Sequence, residues 1–373
     1  MPDLAIIGAG VAGLAAARAL RQRYPDGGKG RPGLAITIYE QNRELGGRVA
    51  TRRREGYIFD HGAQNLRAPT PELVRLLTAE LPADQLRDIG LPVWTFDGAG
   101  VLAEGDPAQN AEPKWIYRDG MDRLAELLGA GLEVRRNVRI TSVVRGSLSV
   151  ASDHRLRTTD SRWVLIDDAN KSVAEADFVL LTPPAPQTAE ILAASDLDAI
   201  LKDALLGELS HASYRRCISL AVAYPRRIDR PFYALVNTDR AHPIAWLALE
   251  HAKAPERCPP GHSLLIAQMG SRWSQDHWHA PADQLERLIA PQVAALLAED
   301  LGAPLWSDLY HWPYALPDRG ADFATLNGGS GGLFFAGDYT AGLGRIHLAI
   351  QSGWRVADLI DTRISHRLHG LGG

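Results

Sequence analysis

The feature that most constrains this chain is a glycine-rich turn near its N-terminus. A short apolar run at residues 4–7 stops at Gly8, and apolar residues then repeat at helical spacing over residues 14–20. Gly8, Gly10 and Gly13 therefore form a G-x-G-x-x-G pattern between a strand and a helix. In that context one glycine permits the tight turn, one lets a pyrophosphate approach the backbone, and one lets strand and helix pack closely. The pattern predicts a dinucleotide site.

An acidic residue follows the second predicted strand. Residues 35–39 predict a strand that ends at Glu40, after an exposed loop at residues 24–33. A carboxylate at that point is suited to bind ribose hydroxyls, and the N-terminus of the first helix offers N–H groups to the phosphates. The alternative is a glycine-rich turn in some other α/β protein. The pattern alone does not separate NAD from FAD.

A glycine pair and an arginine shift that balance. Gly46 and Gly47 precede Arg48, whose guanidinium can reach a pyrophosphate shortly after the ribose-binding acid. This order favours FAD. For Arg53 and Arg54, which follow closely, a solvated basic face is the favoured interpretation. We expect residues 41–64 as a whole to be an extended active-site segment with little regular structure.

The C-terminal part of the chain supplies a second ligand pattern. Residues 333–336 predict an apolar strand, so Asp338 falls near its carboxyl end, where ligands of open α/β sheets bind. Asp338 can accept a ribityl hydroxyl. A helix starting near Ile346 would direct the N–H groups of Arg345, Ile346 and His347 at the flavin pyrimidine ring. The alternative is a strand-to-helix corner in which Asp338 only caps the helix.

These motifs resemble the flavin-containing amine oxidase superfamily and, within it, the renalase-like branch. The resemblance is carried by IIGAGVAGL (6–14), YEQNRELGGRVATRR (39–53), FDHGAQ (59–64) and FFAGDYTAGLGRIHLAIQSGW (334–354). WIYRDGMDRLAELL (115–128) and LLTPPAPQ (180–187) give weaker support. The resemblance covers the FAD-binding parts well and residues 189–327 poorly, so it specifies the cofactor much better than the substrate.

The resemblance implies an FAD that is bound without a covalent link, since neither cysteine lies in the C-terminal flavin segment. Val138 falls where the family contacts adenine through its backbone. The full set of predicted FAD-binding residues is Gly8, Gly10, Ala12, Gly13, Glu40, Gln41, Gly47, Arg48, Val138, Gly337, Asp338, Arg345 and Ile346.

The expected fold class is α/β, with two interleaved domains. A Rossmann-like FAD-binding domain would comprise residues 1–70, 130–188 and 328–373, and a smaller α+β substrate domain residues 71–129 and 189–327. Strand-like runs at 217–224, 233–237, 244–251 and 263–269, before a helix at 282–301, predict that the substrate domain is built on an antiparallel sheet.

Because a flavin does the redox chemistry, the protein has to orient a substrate and does not need a nucleophile. By resemblance, the segment containing Gln64 and His61 should pass beside the reactive ring, which makes both candidates for catalytic contacts. His61 could equally be a core histidine. Trp312, together with Trp246 and Tyr314, is a candidate for the wall of the substrate pocket, although core packing is a common role for any aromatic residue.

The lysines bear on the choice of substrate. Amine oxidases of the superfamily hold a lysine near the flavin and often an aromatic pair that steers a neutral amine. The lysines here are Lys29, Lys114, Lys171, Lys202 and Lys253, and none lies in the middle of an apolar strand. We therefore expect no lysine beside the flavin.

Renalase-like proteins also lack those features, and they resemble enzymes that oxidise dihydronicotinamides and pass the electrons through flavin to oxygen. A FAD-dependent oxidase that takes a hydride from a dihydronicotinamide is thus the favoured function. An oxidase of small amines or polyamines is one alternative. The fold also resembles proteins that bind partners without using flavin, such as guanine nucleotide dissociation inhibitors, so a binding module without redox activity is a second alternative.

Composition narrows the classes of partner. With 46% hydrophobic and 23% charged residues the 373-residue chain is typical of a globular protein. A net charge of -4 gives no electrostatic case for nucleic acid as a partner. The two cysteines, Cys217 and Cys258, have no zinc-site spacing, and we expect no metal and a cytoplasmic location. No apolar run is long enough for a transmembrane segment. The oligomeric state stays open.

Overall fold

The structure is a computed structural model that describes residues 1–25, 33–146, 162–329 and 331–370, with only the backbone at 368–370. Most of the predicted loop at 24–33, including Lys29, lies outside the described residues. The chain divides into two units built from separated stretches. Unit 1 comprises Met1–Gly47, Ala125–Ser213 and Pro317–Gly373, and unit 2 comprises Arg48–Leu124 and Tyr214–Leu316. Residues 48–70, expected in the first domain, thus belong to unit 2, whereas 189–213 and 317–327 belong to unit 1.

The strands are numbered in chain order. Within the described residues they are β1 (Asp3–Ile7), β2 (Ala35–Glu40), β3 (Thr51–Arg54), β4 (Tyr57–Asp60), β5 (Leu86–Asp88), β6 (Val93–Phe96), β7 (Leu102–Ala103), β8 (Trp115–Tyr117), β9 (Glu133–Arg136), β10 (Ile140–Arg145), β11 (Trp163–Asp167), β12 (Ser172–Ala176), β13 (Phe178–Leu181), β14 (Ser213–Tyr224), β15 (Ala234–Asn237), β16 (Ile244–Leu249), β17 (Ser263–Met269), β18 (Trp306–Arg319) and β19 (Leu333–Phe335).

The helices are numbered in the same way. They are α1 (Val11–Arg23), α2 (Pro71–Arg75), α3 (Pro107–Ala111), α4 (Asp122–Gly129), α5 (Ala185–Ala194), α6 (Ala199–Leu209), α7 (Glu250–Lys253), α8 (Ser271–Asp276), α9 (Ala282–Leu297), α10 (Phe323–Asn327) and α11 (Ile346–Gly370). A π-helical turn, Leu76–Glu80, continues α2. Short 3-10 turns occur at Gly47–Val49, Pro255–Arg257 and Asp338–Ala341. Across the described ranges, no helix combines the length and apolar character that crossing a membrane would need.

Unit 1 is built on a parallel sheet. In the part of the chain that is described, its five strands follow the order β19-β13-β1-β2-β9, and each neighbouring pair is parallel. β1 and β13 consist almost entirely of buried apolar residues, as expected where both faces of a parallel sheet are covered. The small antiparallel sheet β10-β11-β12 completes the strands of this unit. The Rossmann-like part of the predicted fold class is confirmed.

Two helices of unit 1 pack at a very close approach. α1 has a face of small side chains, including Ala12, Ala15 and Ala16, and Gly353 of α11 lies against it. A Cβ at Gly353 would overlap the carbonyl oxygen of Ala12 and lie 3.0 Å from the backbone nitrogen of Ala16. Because the obstacle is helix backbone, it cannot rotate away as a side chain would. The glycine therefore sets the separation of the two helices.

Unit 2 is built on a mostly antiparallel sheet. Its strands, among the residues described, follow the order β18-β14-β17-β16-β15-β6-β7, and β15 pairs with β6 in parallel. One face packs on α9, which contacts β16, and Leu285, Ile289 and Val293 share a hydrophobic core with alternate residues of β14 such as Leu220 and Val222. This predicted antiparallel domain is confirmed, with the single parallel pair as an addition.

The expectation of little regular structure at residues 41–64 is wrong. β3 and β4 form a hairpin in which Arg54 pairs with Tyr57. Its two connecting residues, Glu55 and Gly56, both have positive φ angles of 51° and 83°, which is the backbone of a type I′ turn. The basic stretch that forms β3 lacks the apolar alternation by which a strand is recognised, so only its pairing with β4 reveals it.

We predict that Gly353→Ala lowers the free energy of unfolding by about 1 to 3 kcal/mol, the usual range for an overpacked contact. Gly207→Ala is the matched control, since Gly207 lies inside α6 and a Cβ there meets no atom within 4 Å. It should raise stability by roughly 0.5 to 1 kcal/mol. Chemical denaturation of both variants measures the difference, and equal effects would contradict the close approach of α1 and α11.

Candidate functional site

The carboxyl edge of the parallel sheet in unit 1 collects residues from both ends of the chain. Because all strands of this sheet run in the same direction, the segments that follow them leave at one edge. At a spacing of ~4.8 Å between neighbouring strands, the edge extends over roughly 19 Å from β19 to β9. In spatial order it presents Asp338, Thr182, Gly8, Glu40 and Val138.

Two of the three glycines in the N-terminal turn are required by the protein itself. Gly8 has φ +100°, and a Cβ there would lie 2.7 Å from Oγ1 of Thr182. The Gly8 N–H donates to the carbonyl of Tyr39 at 2.8 Å, which fastens the turn to β2. A Cβ at Gly13 would overlap the Gly8 carbonyl oxygen. These positions are needed for the turn and for the close packing of α1 on it.

Gly10 has a different surrounding. Its φ of -73° is open to any residue, and a Cβ there would meet no protein atom within 4 Å. Gly10 is the N-cap of α1 and provides no side-chain cap, so the first turn of the helix, which contains Ala12, presents its N–H groups at this open space. Nothing in the described protein requires a glycine here. The open space beside the N-terminus of α1 therefore fits a bound pyrophosphate.

Glu40 is fixed against the same turn. Its Oε2 accepts the N–H of Ala9 at 2.8 Å, and its Oε1 accepts the backbone N–H of Asn42 at 2.8 Å. A carboxylate has about four acceptor positions, so this residue retains capacity for a ribose hydroxyl. Gln41, next to it, is exposed. Val138 donates its N–H to the Glu40 carbonyl at 2.9 Å, so its backbone contact with an adenine would use the carbonyl group.

The loop after β19 is held by residues that the sequence did not reveal. The Gly337 N–H donates to Oγ of Ser352 at 2.9 Å, and Thr340 links to the same oxygen at 2.7 Å. Asp338 is buried within this loop. The N–H of Arg345 donates to the carbonyl of Leu343, so the N–H groups of α11 begin at Ile346, one residue later than predicted. In the sequence Ser352 is one of many polar residues in α11, so nothing there indicated this role.

Arg48 belongs to unit 2. Its Nη1 donates to the Ala315 carbonyl at 3.4 Å, and its own carbonyl accepts the N–H of Ala63 at 2.9 Å. Gly47, the residue before it, is exposed, and a Cβ there would meet no atom within 4 Å. The predicted contact of Arg48 with a pyrophosphate stays a prediction.

The segment at residues 60–64 of unit 2, called here the site segment, contains two of the predicted catalytic residues. Nε2 of Gln64 donates back to the carbonyls of Asp60 and, at 3.1 Å, of Gly62. Gln268 of β17 donates to the same Gly62 carbonyl at 2.7 Å. Gln64 is buried, and the two N–H donors of its amide are used within the segment. Its first role is therefore to shape the backbone around Gly62.

His61 lies between two aromatic rings of β18. Its ring is stacked on Tyr310 at 3.8 Å and on Trp312 at 5.2 Å between centroids, and Nε1 of Trp312 donates to the His61 carbonyl at 3.0 Å. Burial lowers the pKa of His61 to about 4, with the charge of Arg52 acting in the same direction and Asp60 opposing it. The ring is thus neutral at pH 7. The structure brings Gln64, His61 and Trp312 together in one cluster.

The other aromatic candidates lie on the same sheet. Tyr314, two residues beyond Trp312 on β18, makes an edge contact with Tyr214 at 5.6 Å between centroids. Trp246 of β16 makes an edge contact with Tyr233 at 6.2 Å. Trp246 is half-buried.

Asp60, the first residue of the site segment, also belongs to a buried charge cluster. The other members of this cluster are Glu250, Lys253 and Arg257. All of their side chains are inaccessible to solvent. Nη1 of Arg257 lies 2.6 Å from Asp60 and 2.5 Å from Glu250, and Nζ of Lys253 is paired with Glu250 and lies 3.9 Å from Asp60. Burial alone would raise the pKa of Asp60, but the charges of Arg257 and Lys253 together with hydrogen bonds from Met121 and Thr51 lower it on balance.

This cluster was missed because its members look like surface residues in the sequence. Glu250, Lys253 and Arg257 fall in a polar stretch after β16, where a run of charges is usually solvated. The structure instead folds α7 and the following 3-10 turn inward, onto Asp60 at the end of β4. Lys253 is therefore buried although it lies in a short helix and not in an apolar strand.

The two cysteines of the chain are not joined in a disulfide. Cys217 and Cys258 are free thiols, and burial raises the pKa of each to about 12. In the ranges that the structure covers, no group of three or more His, Cys, Asp or Glu side chains is arranged to hold a metal ion.

Comparisons with known proteins identify a family for the chain and a fold that it shares. The sequence model of a family described as flavin containing amine oxidoreductase matches residues 98–361, and one described as NAD(P)-binding Rossmann-like domain matches residues 6–79. Protoporphyrinogen oxidase 2 of Arabidopsis thaliana is 36% identical over 74 residues, which is 20% of this chain and 13% of that protein. The 4,4'-diapophytoene desaturase of Staphylococcus haemolyticus is 36% identical over 66 residues, 18% of this chain and 11% of that protein. The matched segments are a small part of either relative.

Solved structures match over almost the whole chain. A protein of Exiguobacterium sp. 255-15, provisionally described as a protoporphyrinogen oxidase, aligns with a TM-score of 0.74 and 17% identity over 97% of this chain and 99% of that one. Cyclohexylamine oxidase of Brevibacterium oxydans IH-35A aligns with a TM-score of 0.70 and 14% identity over 98% and 99%. Putrescine oxidase bound to putrescine gives 0.69 and 16% over 97% and 99%. At these identities the similarity shows the fold alone.

We predict that Gly10→Val produces a folded protein that purifies without FAD. The branched side chain enters the open space where a pyrophosphate would lie, so binding should weaken at least tenfold, or about 1.4 kcal/mol. The measurement is the ratio of flavin absorbance to protein, with the melting temperature as a check of folding. Gly13→Ala is the contrasting variant, because its Cβ overlaps backbone and should lower the melting temperature. Full flavin occupancy of Gly10→Val would contradict the assignment of the open space at Gly10 to a pyrophosphate.

A second prediction concerns acid stability. The pKa values of His61 and His251 are lowered from 6.5 to about 4 in the folded chain, mainly by burial. The unfolded chain therefore binds more protons between these pH values, and the stabilisation present above pH 6.5 is lost as pH falls toward 4. At ~1.4 kcal/mol per pH unit, each histidine should account for roughly 2 to 3 kcal/mol between pH 7 and 4.5.

Urea denaturation at both pH values tests this expectation. His61→Asn should lose less stability on acidification than the wild type by about that amount. The exposed His279→Asn is the control and should follow the wild type. Parallel losses in all three proteins would show that His61 does not stay neutral in the fold.

Proposed function

We propose that this chain, which belongs to the flavin containing amine oxidoreductase family, oxidises a dihydronicotinamide in the manner of the renalase-like branch, with molecular oxygen as the final acceptor. Family membership makes it an FAD-dependent oxidoreductase. When bound, FAD supplies the redox chemistry by accepting the two electrons that leave the substrate. What the chain itself must do is bind the cofactor, hold the substrate ring and exclude water from it.

The proposed FAD contacts follow the carboxyl edge of unit 1. Gly10 and the N-terminus of α1 would bind the pyrophosphate, Glu40 the ribose, and Val138 the adenine. Asp338 would bind the ribityl chain, and the N–H groups at the start of α11 would stabilise negative charge on the pyrimidine ring. The support for this set is that a Cβ at Gly10 meets only open space, with the carboxylate of Glu40 fixed beside the turn.

The observation that carries the choice of substrate is the neutral aromatic wall at the site segment. His61 is buried and uncharged at pH 7, and it stacks behind the half-buried ring of Trp312, which is suited to contact a flat heterocyclic ring. The acids that could attract a cationic amine there, Asp60 and Glu250, are already neutralised by Arg257 and Lys253. We therefore favour a dihydronicotinamide, with Gln64 and His61 beside the reacting ring as the sequence predicted.

Oxidation of a small amine is the second candidate. The family description supports it, and so does the position of Trp312 and Tyr314, whose two-residue spacing on β18 places them on one face. Such a pair could flank an uncharged amine. A redox-inactive binding module is the third candidate, and the colour of the purified protein separates it from both oxidases.

The test is anaerobic mixing of the purified yellow protein with isomeric dihydronicotinamides and, separately, with a panel of small amines and polyamines. We expect the flavin absorption bands to bleach with a dihydronicotinamide and to return when oxygen is admitted. Gly10→Val protein is the blank, since it should carry no flavin. Bleaching by amines alone would reject the dihydronicotinamide proposal, and a colourless protein that takes up no FAD would support the binding module.

A further inference from the structure

Lys253 reaches from the buried charge cluster to the site segment. Its Nζ donates to Oε1 of Gln64 at 2.9 Å and is also paired with the carboxylate of Glu250. Both the lysine and its acidic partner are fully buried at their side chains. No solvent competes for this hydrogen bond, so its geometry is set by the protein alone.

The contact determines which way the Gln64 amide faces. An ammonium group has only donors, so it requires the amide oxygen, whereas the carbonyls of Asp60 and Gly62 have only acceptors and require the amide NH₂. Rotating the amide by half a turn would place NH₂ against the ammonium and oxygen against two carbonyls. All three hydrogen bonds would be lost together, so one orientation is strongly preferred.

The amide orientation in turn fixes the backbone that carries the aromatic wall. The carbonyl of Asp60 accepts from Gln64, that of His61 accepts from Trp312, and that of Gly62 accepts from Gln64 and from Gln268. Successive carbonyls of the site segment are thereby each tied to a side-chain donor. The Gln64 amide joins the first of these carbonyls to the third, across His61.

We propose that Lys253 is a positioning residue: by fixing the Gln64 amide it sets the conformation of the site segment and hence the placement of His61 and Trp312 for the reaction. This inference rests on the proposed function only in assigning the site segment to the substrate side. The positioning role explains why the buried charge cluster contains a second ion pair, Glu250 with Lys253, in addition to Asp60 with Arg257. Arg257 alone could neutralise Asp60, whereas Glu250 is what holds the ammonium of Lys253 in place. Buried ion pairs are costly and stabilise little, so a positioning role is the better explanation for the second pair.

The test is a set of variants of the full-length holoprotein. Glu250→Gln with Lys253→Met removes one charge of each sign and leaves Asp60 paired with Arg257, so no charge is left uncompensated. Gln64→Met removes the amide but leaves the cluster intact. Lys114→Met is the matched control, because Lys114 is also buried in unit 2 and, among the described residues, donates to the carbonyls of Asn110 and Glu112 and not to the site segment.

We expect the charge-balanced double variant and Gln64→Met each to lower kcat by roughly 10- to 100-fold, the cost of a small misplacement at a reacting centre. The triple variant should be no slower than either, because both changes act through one amide. The visible circular dichroism of the bound flavin should change in all three and stay unchanged in Lys114→Met, even if the control melts at a lower temperature.

Additive losses in the triple variant, or melting temperatures that fall while kcat and the flavin spectrum stay as in the control, would overturn the inference. If the double variant does not fold, Gln64→Met decides: wild-type kcat and spectrum would show that Lys253 cannot act through this amide. Failure of the proposed function has a different signature, since the wild-type flavin would then not be bleached by a dihydronicotinamide. The kinetic comparison can use whichever substrate bleaches the flavin.

Discussion

The parallel pairing of β1 with β2 on one side and with β13 on the other decides where the chemistry of unit 1 can occur. Parallel strands place every following segment at one edge, so a glycine turn at residue 8 and a carboxylate at residue 338 become near neighbours in the sheet order although most of the chain separates them. The close approach of α1 and α11 at Gly353 supports the same arrangement from one face of the sheet. Strand direction therefore brings the residues proposed to bind the cofactor to one edge of the sheet, before any side chain is considered.

The three glycines of the turn have different structural roles: two are required by the fold, and the third is not. A side chain at Gly8 or Gly13 would clash with other atoms of the protein. The turn therefore requires glycine at both positions whether or not a ligand is bound. A Cβ at Gly10 would meet no protein atom within 4 Å, so the lack of a side chain there fits the proposed pyrophosphate contact. The fixed carboxylate of Glu40 then gives that space the polarity of a nucleotide site.

Unit 2 uses buried charge to define a conformation. Its sheet packs on α9 through ordinary apolar contacts, whereas the site segment is held by hydrogen bonds from Gln64, Gln268 and Trp312. Because the cluster behind it is neutral in sum, its acids offer no attraction to a cationic ligand. The half-buried ring of Trp312, with the uncharged His61 stacked behind it, is instead the basis for favouring a heterocyclic substrate over a polyamine.

The sequence by itself determined the Rossmann-like sheet, most of its strands and the residues at both ends of the cofactor edge, because glycine spacing and apolar runs act over a few neighbouring residues. It also identified Gln64 and His61 as candidates through family resemblance, and Trp312 as an aromatic candidate for the pocket wall. Only the tertiary structure decided that Arg53 and Arg54 end a hairpin strand, that Lys253 and Arg257 are buried, and that Ser352 holds the loop before Asp338. Those facts depend on partners far away in the chain, and a charged residue looks the same in sequence whether water or an opposite charge surrounds it.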